Sequence, residues 1–215
     1  MHPNVLVSKC DKQLNISHGI TFQELQDALQ VGDYVANRYS FYLVARLLRY
    51  DRKVVPGAYQ LRANMGNWEA IRLLRAGAQR PVKITFHHVR TKAELADRLT
   101  QQLEMEAEDL CQLLDDTDFV SQYGFDTENV MTVFIPNTYE VYWTITPRAL
   151  FIRMYEEHKK FWNEDRSRLA QRLRMTPQEV SILASIVQSE TNKKEDLPMI
   201  AGVYFNRLRK NHHLQ

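Results

Sequence analysis

Thr176-Pro-Gln-Glu-Val-Ser-Ile-Leu-Ala-Ser-Ile-Val-Gln-Ser-Glu190 carries its own instructions for a helix. Thr176 is a helix-capping residue type, and Pro177 suits the first helical position, where its missing N–H would have no partner anyway. Glu179 at the third position completes a capping box. Val180, Leu183, Ala184 and Val187 recur at i, i+3, i+4 and i+7, so this face is expected to be buried. Glu190 follows Val187 by three residues, Ile186 by four and Leu183 by seven. At about 100° per residue, that spacing sets a carboxyl at the end of an apolar stripe. A second helix is expected over 196–210, opened by Asp196-Leu-Pro198 with an apolar face of Ile200, Val203, Tyr204 and Leu208. The short charged connection makes the two an antiparallel pair, with Glu190 at the mouth of a crease and Asn206 and Arg207 near the same corner.

Working back toward the N-terminus, Pro147 to Arg174 reads as one long helix, with Thr146 as its cap and Pro147 at its first position. Met131 to Trp143 is apolar and aromatic; its first half reads as a buried strand and Asn137 onward as a loop. Helical segments are expected at 106–115 and 118–123. Thr91-Lys-Ala-Glu94 and Thr21-Phe-Gln-Glu24 are two further capping boxes, opening helices to about Leu103 and Gln30. Val82, Ile84, Phe86 and His88 alternate with Lys83, Thr85 and His87 as in a strand. Asn67 is expected to cap a helix that stops at Gly77. Lys53 to Leu61 gives two short extended runs around a Pro-Gly turn, and a helix over about 38–50 presents Phe41, Val44, Ala45 and Leu48. The expected class is α+β: a small α/β module ahead of a mostly helical body.

The 215 residues are 44% hydrophobic and 25% charged, enough for a sizeable core in one large domain or two small ones. A net charge of +2, with basic residues scattered along the chain, argues against nucleic acid as a partner. Cys10 and Cys111 form no Cys-x-x-Cys pair, so no zinc ribbon or thioredoxin-type site is expected, and sequence alone leaves a disulfide between them open. Glu190 admits two readings. An apolar stripe and the negative end of a helix dipole both favour the protonated carboxyl that a general acid needs. The plainer alternative is a helix-end Glu turned into water, or one paired with Lys193, Lys194 or Arg207.

Several blocks resemble one family. Leu183-Ala-Ser-Ile-Val-Gln-Ser-Glu-Thr-Asn192 and Ile200-Ala-Gly-Val-Tyr-Phe-Asn-Arg-Leu208 carry the match. Phe134-Ile-Pro-Asn-Thr-Tyr-Glu-Val-Tyr-Trp143, Val55-Pro-Gly-Ala-Tyr59 and Leu73-Leu-Arg-Ala-Gly77 add to it, in order. They are similar to the MltG (YceG-like) endolytic murein transglycosylases, with a wording closest to the Bacteroidetes branch. The resemblance implies an N-terminal segment over 1–50, a LysM-like module over 51–90 and a catalytic domain over 91–215. It implies a single membrane anchor ahead of residue 1, a periplasmic-facing position at the inner membrane, and further catalytic-domain sequence beyond Gln215. The family's catalytic glutamate falls on Glu190. Many members carry another Glu two residues earlier, where this chain has Gln188, so Glu190 is the sole acid of the block.

The chemistry expected from that resemblance is cleavage of the bond between N-acetylmuramic acid and N-acetylglucosamine, leaving 1,6-anhydro ends and using no metal or cofactor. Glycan strands are the expected partner, with cell-wall synthases as further candidates. Tyr139, Glu140, Tyr142 and Trp143 are an aromatic and acidic cluster suited to sugar rings, though such a segment is also ordinary core. Asn137, Asn206 and Arg207 are candidates to position N-acetyl or peptide groups. Glycosidases that hydrolyse generally use two carboxylates, and Glu140 is the candidate second one. The competing readings are a glycan hydrolase, a non-catalytic wall-binding protein, and a metal hydrolase using His87-His88 or His212-His213. Neither histidine pair has the spacing of a helical zinc motif. No glycine-rich phosphate cradle is present for pyridoxal phosphate.

Overall fold

The computed structural model describes residues 3–7, 9–191 and 193–210. In chain order the elements are β1 (Lys12–Ile16), α1 (Phe22–Val31), α2 (Arg38–Leu47), β2 (Gly57–Leu61), α3 (Asn67–Arg75), β3 (Val82–Phe86) and α4 (Lys92–Thr100). They continue with α5 (Ala107–Asp115), α6 (Thr117–Ser121), β4 (Asn137–Val141), α7 (Pro147–Phe161), α8 (Glu164–Arg172), α9 (Pro177–Glu190) and α10 (Leu197–Arg209). The class is α+β. Among the described residues, no helix is long and apolar enough to cross a membrane.

The chain divides into two compact units. The first contains Met1–Ile84, Thr100–Met105 and Tyr139–Thr146. Its sheet pairs β1 with β2 antiparallel, from Lys12 opposite Leu61 to Ile16 opposite Gly57. Residues before position 51 supply a strand and two helices to the same core as residues after it. Leu14 and Ile16 of β1, Leu25 and Leu29 of α1, Phe41 and Ala45 of α2 and Ile71 and Leu74 of α3 meet there around Tyr59. Each fully buried Leu or Ile stabilises this unit by roughly 1.5–3 kcal/mol. Of the two runs expected around Pro56-Gly57, only the second is a strand.

The Asn4 side chain seams this unit together. Asn4, buried to 7% exposure, donates from Nδ2 to the Asn37 carbonyl at 2.9 Å and to Asn67 Oδ1 at 2.7 Å, while its Oδ1 accepts from the Asn37 N–H at 2.7 Å. Asn67 is thus the first residue of α3 and not its cap, which is Gly66. The other end of α3 is as expected: Gly77 has φ +65, its N–H donates to the Leu74 carbonyl, and the Ala78 N–H donates to that of Leu73. This is a Schellman closure, and the positive φ is why glycine serves there.

The second unit contains Thr85–Leu99, Glu106–Thr138 and Pro147–Gln215. Its centre is α7, whose Leu150, Phe151 and Met154 are buried. Rings of Phe119, Tyr123 and Phe134 surround Phe151 at 5.0, 5.1 and 6.2 Å. A 3-10 turn at Val130–Val133 packs against both α7 and α9. The expected long helix over 147–174 is two helices, because Asn163 starts α8 by accepting from the Arg166 N–H. The stretch before β4 reverses its expected assignment: 130–133 is the 3-10 turn, and Asn137–Val141 is the strand, burying Tyr139 and Val141 on alternate positions. β4 pairs with β3, with Thr85 facing Thr138 at 2.7 Å and Lys83 facing Glu140 at 3.7 Å. The constant sum of those paired numbers identifies an antiparallel ladder. Cys10 and Cys111 are both free thiols, the former exposed.

Candidate functional site

The helix that carries Glu190 starts as its sequence dictates. Thr176 Oγ1 accepts from the Glu179 N–H at 3.2 Å, and Glu179 Oε2 accepts from the Thr176 N–H at 2.7 Å. Helix α9 then runs fourteen residues and ends on Glu190, with Thr191 already extended at φ −152 and ψ 145. The expected buried face is only half present. Val187 is buried, Val180 and Leu183 are half-buried, and Ala184 is exposed. Glu190 itself is exposed, so the desolvation expected from an apolar stripe is absent. What engages the carboxyl is another helix: the Tyr204 hydroxyl of α10 donates to Glu190 Oε1 at 2.8 Å.

Helix α10 packs on α9 and shows Tyr204 as its buried residue, with Ile200 half-buried one turn earlier and Val203 and Leu208 exposed. The Glu190 carboxylate, by accepting this hydrogen bond, pushes the Tyr204 phenol above its ordinary value; the Arg207 cation acts in the opposite sense. Arg207 therefore belongs to the field of this pair. Asn206 does not join it, being exposed and rotated about 200° around the helix from Tyr204.

The neighbours of Glu190 on α9 have other engagements. Gln188 Nε2 lies 3.0 Å from His88 Nε2, so His88 meets α9 where a metal site had been one expectation for His87-His88. His88 sits at φ +51, past the end of β3. Ser185 and Ser189 each donate their hydroxyls back to the carbonyl three residues earlier, at 2.7 Å. His212, His213 and Asn192 lie outside the described residues.

The aromatic and acidic candidates fall on and after β4. Tyr139 is buried at 6% exposure, which gives its ring to the core and leaves no face for a sugar. Glu140 is exposed and paired with Lys83, Tyr142 is 54% exposed, and Trp143 is half-buried with its carbonyl accepting from the Glu104 N–H. Tyr139, Glu140 and Tyr142 belong to the first compact unit, whereas Asn137, Glu190, Asn206 and Arg207 belong to the second. Asn137 is exposed, and its Oδ1 accepts from the Thr138 N–H at 2.8 Å. Sequence reasoning missed the two contacts that define the corner, Tyr204 to Glu190 and His88 to Gln188. The signal for the first was a tyrosine within an otherwise apolar stripe, whose hydroxyl must find a partner when the ring is buried.

The structure of a yceG-like protein from Listeria monocytogenes is similar over 95% of this chain and 72% of that one, at 22% identity and a TM-score of 0.56, so the two share a fold. No curated protein is significantly similar to the chain. A model of the YceG-like family matches residues 14–215. On that match, which spans all but the first thirteen residues, the chain belongs to the YceG-like family.

Proposed function

We propose that this YceG-like protein is an endolytic lytic transglycosylase of peptidoglycan, with Glu190 as its acid. One observation carries the reading: the sole carboxyl of the Leu183–Thr191 block ends its helix exposed, within reach of an incoming ligand, and is fixed in place by Tyr204. In this scheme Glu190 donates its proton to the glycosidic oxygen between N-acetylmuramic acid and N-acetylglucosamine as the bond from the muramic C1 to that oxygen breaks. The transition state has oxocarbenium character. The muramic C6 hydroxyl attacks C1 and returns its proton to the Glu190 carboxylate, closing a 1,6-anhydro ring and restoring the acid. Because the substrate supplies its own nucleophile, a single carboxyl suffices. Asn137, in the same compact unit as Glu190, is proposed to contact the glycan. A LysM-like role for residues 51–90, an anchor ahead of residue 1, and a position on the periplasmic side of the inner membrane beside cell-wall synthases complete the proposal.

The test is digestion of uncrosslinked glycan strands followed by mass spectrometry of the products. Internal cuts ending in anhydromuramic acid, abolished by Glu190→Gln, are the expected result. Reducing ends would instead identify a hydrolase. Intact strands that nevertheless bind the protein would identify a wall-binding protein and overturn the assignment.

A further inference from the structure

A glutamate at the last position of a helix is poorly suited, by itself, to deliver a proton along one line. Its side chain has three rotatable bonds, and Glu190 is exposed with the backbone turning away at Thr191. A general acid must hold its reacting oxygen within hydrogen-bond reach of the leaving group, and small misplacements are costly in rate. Something has to restrict the carboxyl. On α9 the nearby polar side chains are already engaged: Gln188 with His88, and Ser185 and Ser189 with their own helix carbonyls. The group that reaches Glu190 comes from α10.

Tyr204 has the properties of a brace. Its ring is buried against the helix pair, at 9% exposure, and a tyrosine has only two side-chain torsions before the ring. The hydroxyl is placed by packing and not by its own search. It donates to Oε1 at 2.8 Å across a helix-to-helix step of fourteen residues. The two carboxyl oxygens of Glu190 are thereby made unequal. Oε1 accepts the phenol proton, and Oε2 is the oxygen that this bond does not engage.

Resting on the reading of Glu190 as the acid, we propose that Tyr204 is a positioning residue that selects Glu190 Oε2 as the oxygen carrying and recovering the proton. Tyr204 does not touch the sugar. It orients the acid before bond cleavage, and its O–H remains donated to Oε1 while Glu190 is a carboxylate, when the negative charge needs a partner most. Both effects act on turnover and leave ground-state binding of the glycan alone. The charged groups acting on the Tyr204 hydroxyl are Glu190 and Arg207.

Tyr204→Phe removes the hydroxyl and keeps the ring, so the helix pair retains its packing. The expected result on glycan strands is a fall in kcat of about tenfold, the scale of one charge-assisted hydrogen bond, with KM within twofold of the parent's. Binding of the inactive Glu190→Gln protein to the same strands should be unchanged by adding Tyr204→Phe. A kcat within twofold of the parent's overturns the proposal, as does a loss that appears in KM or in strand binding. If Tyr204→Phe melts well below the parent, Tyr204→His, which restores a ring-borne donor near the same place, should recover part of kcat; equal losses in both variants would mean a structural role only. The two readings fail separately. A dead Glu190→Gln beside a parent-like Tyr204→Phe removes the brace and leaves the acid, whereas an active Glu190→Gln removes both.

Discussion

Phe151 tests whether the second unit is held as described. Its side chain is completely buried, with the rings of Phe119 and Tyr123 about 5 Å away and that of Phe134 at 6.2 Å. Truncation to alanine removes roughly 150 Å² of apolar surface from the core, worth about 4 kcal/mol at ~25 cal/mol per Å². That lies inside the range of about 3–5 kcal/mol usual for a buried Phe→Ala, cavity included. For a chain of this length each kcal/mol shifts Tm by about 2–4 °C, so a fall of roughly 8–16 °C is expected. Urea unfolding followed by far-ultraviolet circular dichroism should show a lowered midpoint with an unchanged slope. Ile152, the next residue and 39% exposed, is the internal control, and its alanine variant should lose about 1 kcal/mol or less. A Phe119/Phe151 double-mutant cycle to leucine should give a coupling of about 0.5–1.5 kcal/mol. If Phe151→Ala costs no more than Ile152→Ala, the aromatic cluster is not the centre of this unit, and the support it gives to α9 through the Val130–Val133 turn fails with it.

Other expectations are more local. Gly77→Ala places a Cβ on a residue at φ +65 and should cost the first unit about 1 kcal/mol in denaturant unfolding; an unchanged midpoint would deny the Schellman closure. Thr176→Ala opens the capping box of α9 and should cost about 1 kcal/mol, with faster amide exchange confined to the first turn of that helix. Burial lowers the pKa of His158 below its ordinary 6.5, so its contribution is complete above that value and is lost as pH falls toward the depressed one. A His158→Leu variant should therefore show a flatter loss of urea midpoint than the parent as pH falls below about 6.5, and parallel curves would refute it. Glu190→Gln should bring the ionisation of the Tyr204 phenol downward, read from a labelled tyrosine ring carbon; a fixed titration would mean that the carboxylate is not its partner.

The readable parts of this protein were those governed by local chemistry. Thr21 with Glu24, and Thr176 with Glu179, close as reciprocal caps, since both partners lie within one turn. Thr91 keeps only half of its box: the Glu94 N–H donates to it, but the Glu94 carboxylate takes the Arg90 N–H instead. Errors arose where a distant partner decides. Asn137–Val141 looks like a loop until β3 provides a ladder, and Asn163 breaks a continuous helical pattern by capping with its own side chain. At the candidate site the carboxyl at the end of α9 was legible in Leu183–Thr191, whereas its hydrogen-bond partner was not, because Tyr204 reads in the sequence only as apolar surface. Asn206 was placed at the corner from proximity in sequence, but helical rotation carries it away.

The asparagine seam has a consequence for the order in which this chain acquires structure. Asn4 is synthesised before both of its partners, since Asn37 and Asn67 follow 33 and 63 residues later. Until Asn67 has emerged, helix α3 is not present to close over Asn4, and the stretch around Asn4 waits without that last hydrogen bond. Conversely, a protease that clips just past Asn4 unlatches the starts of two helices at once. Cutting or tagging the chain at Asn4 is therefore a change to its interior.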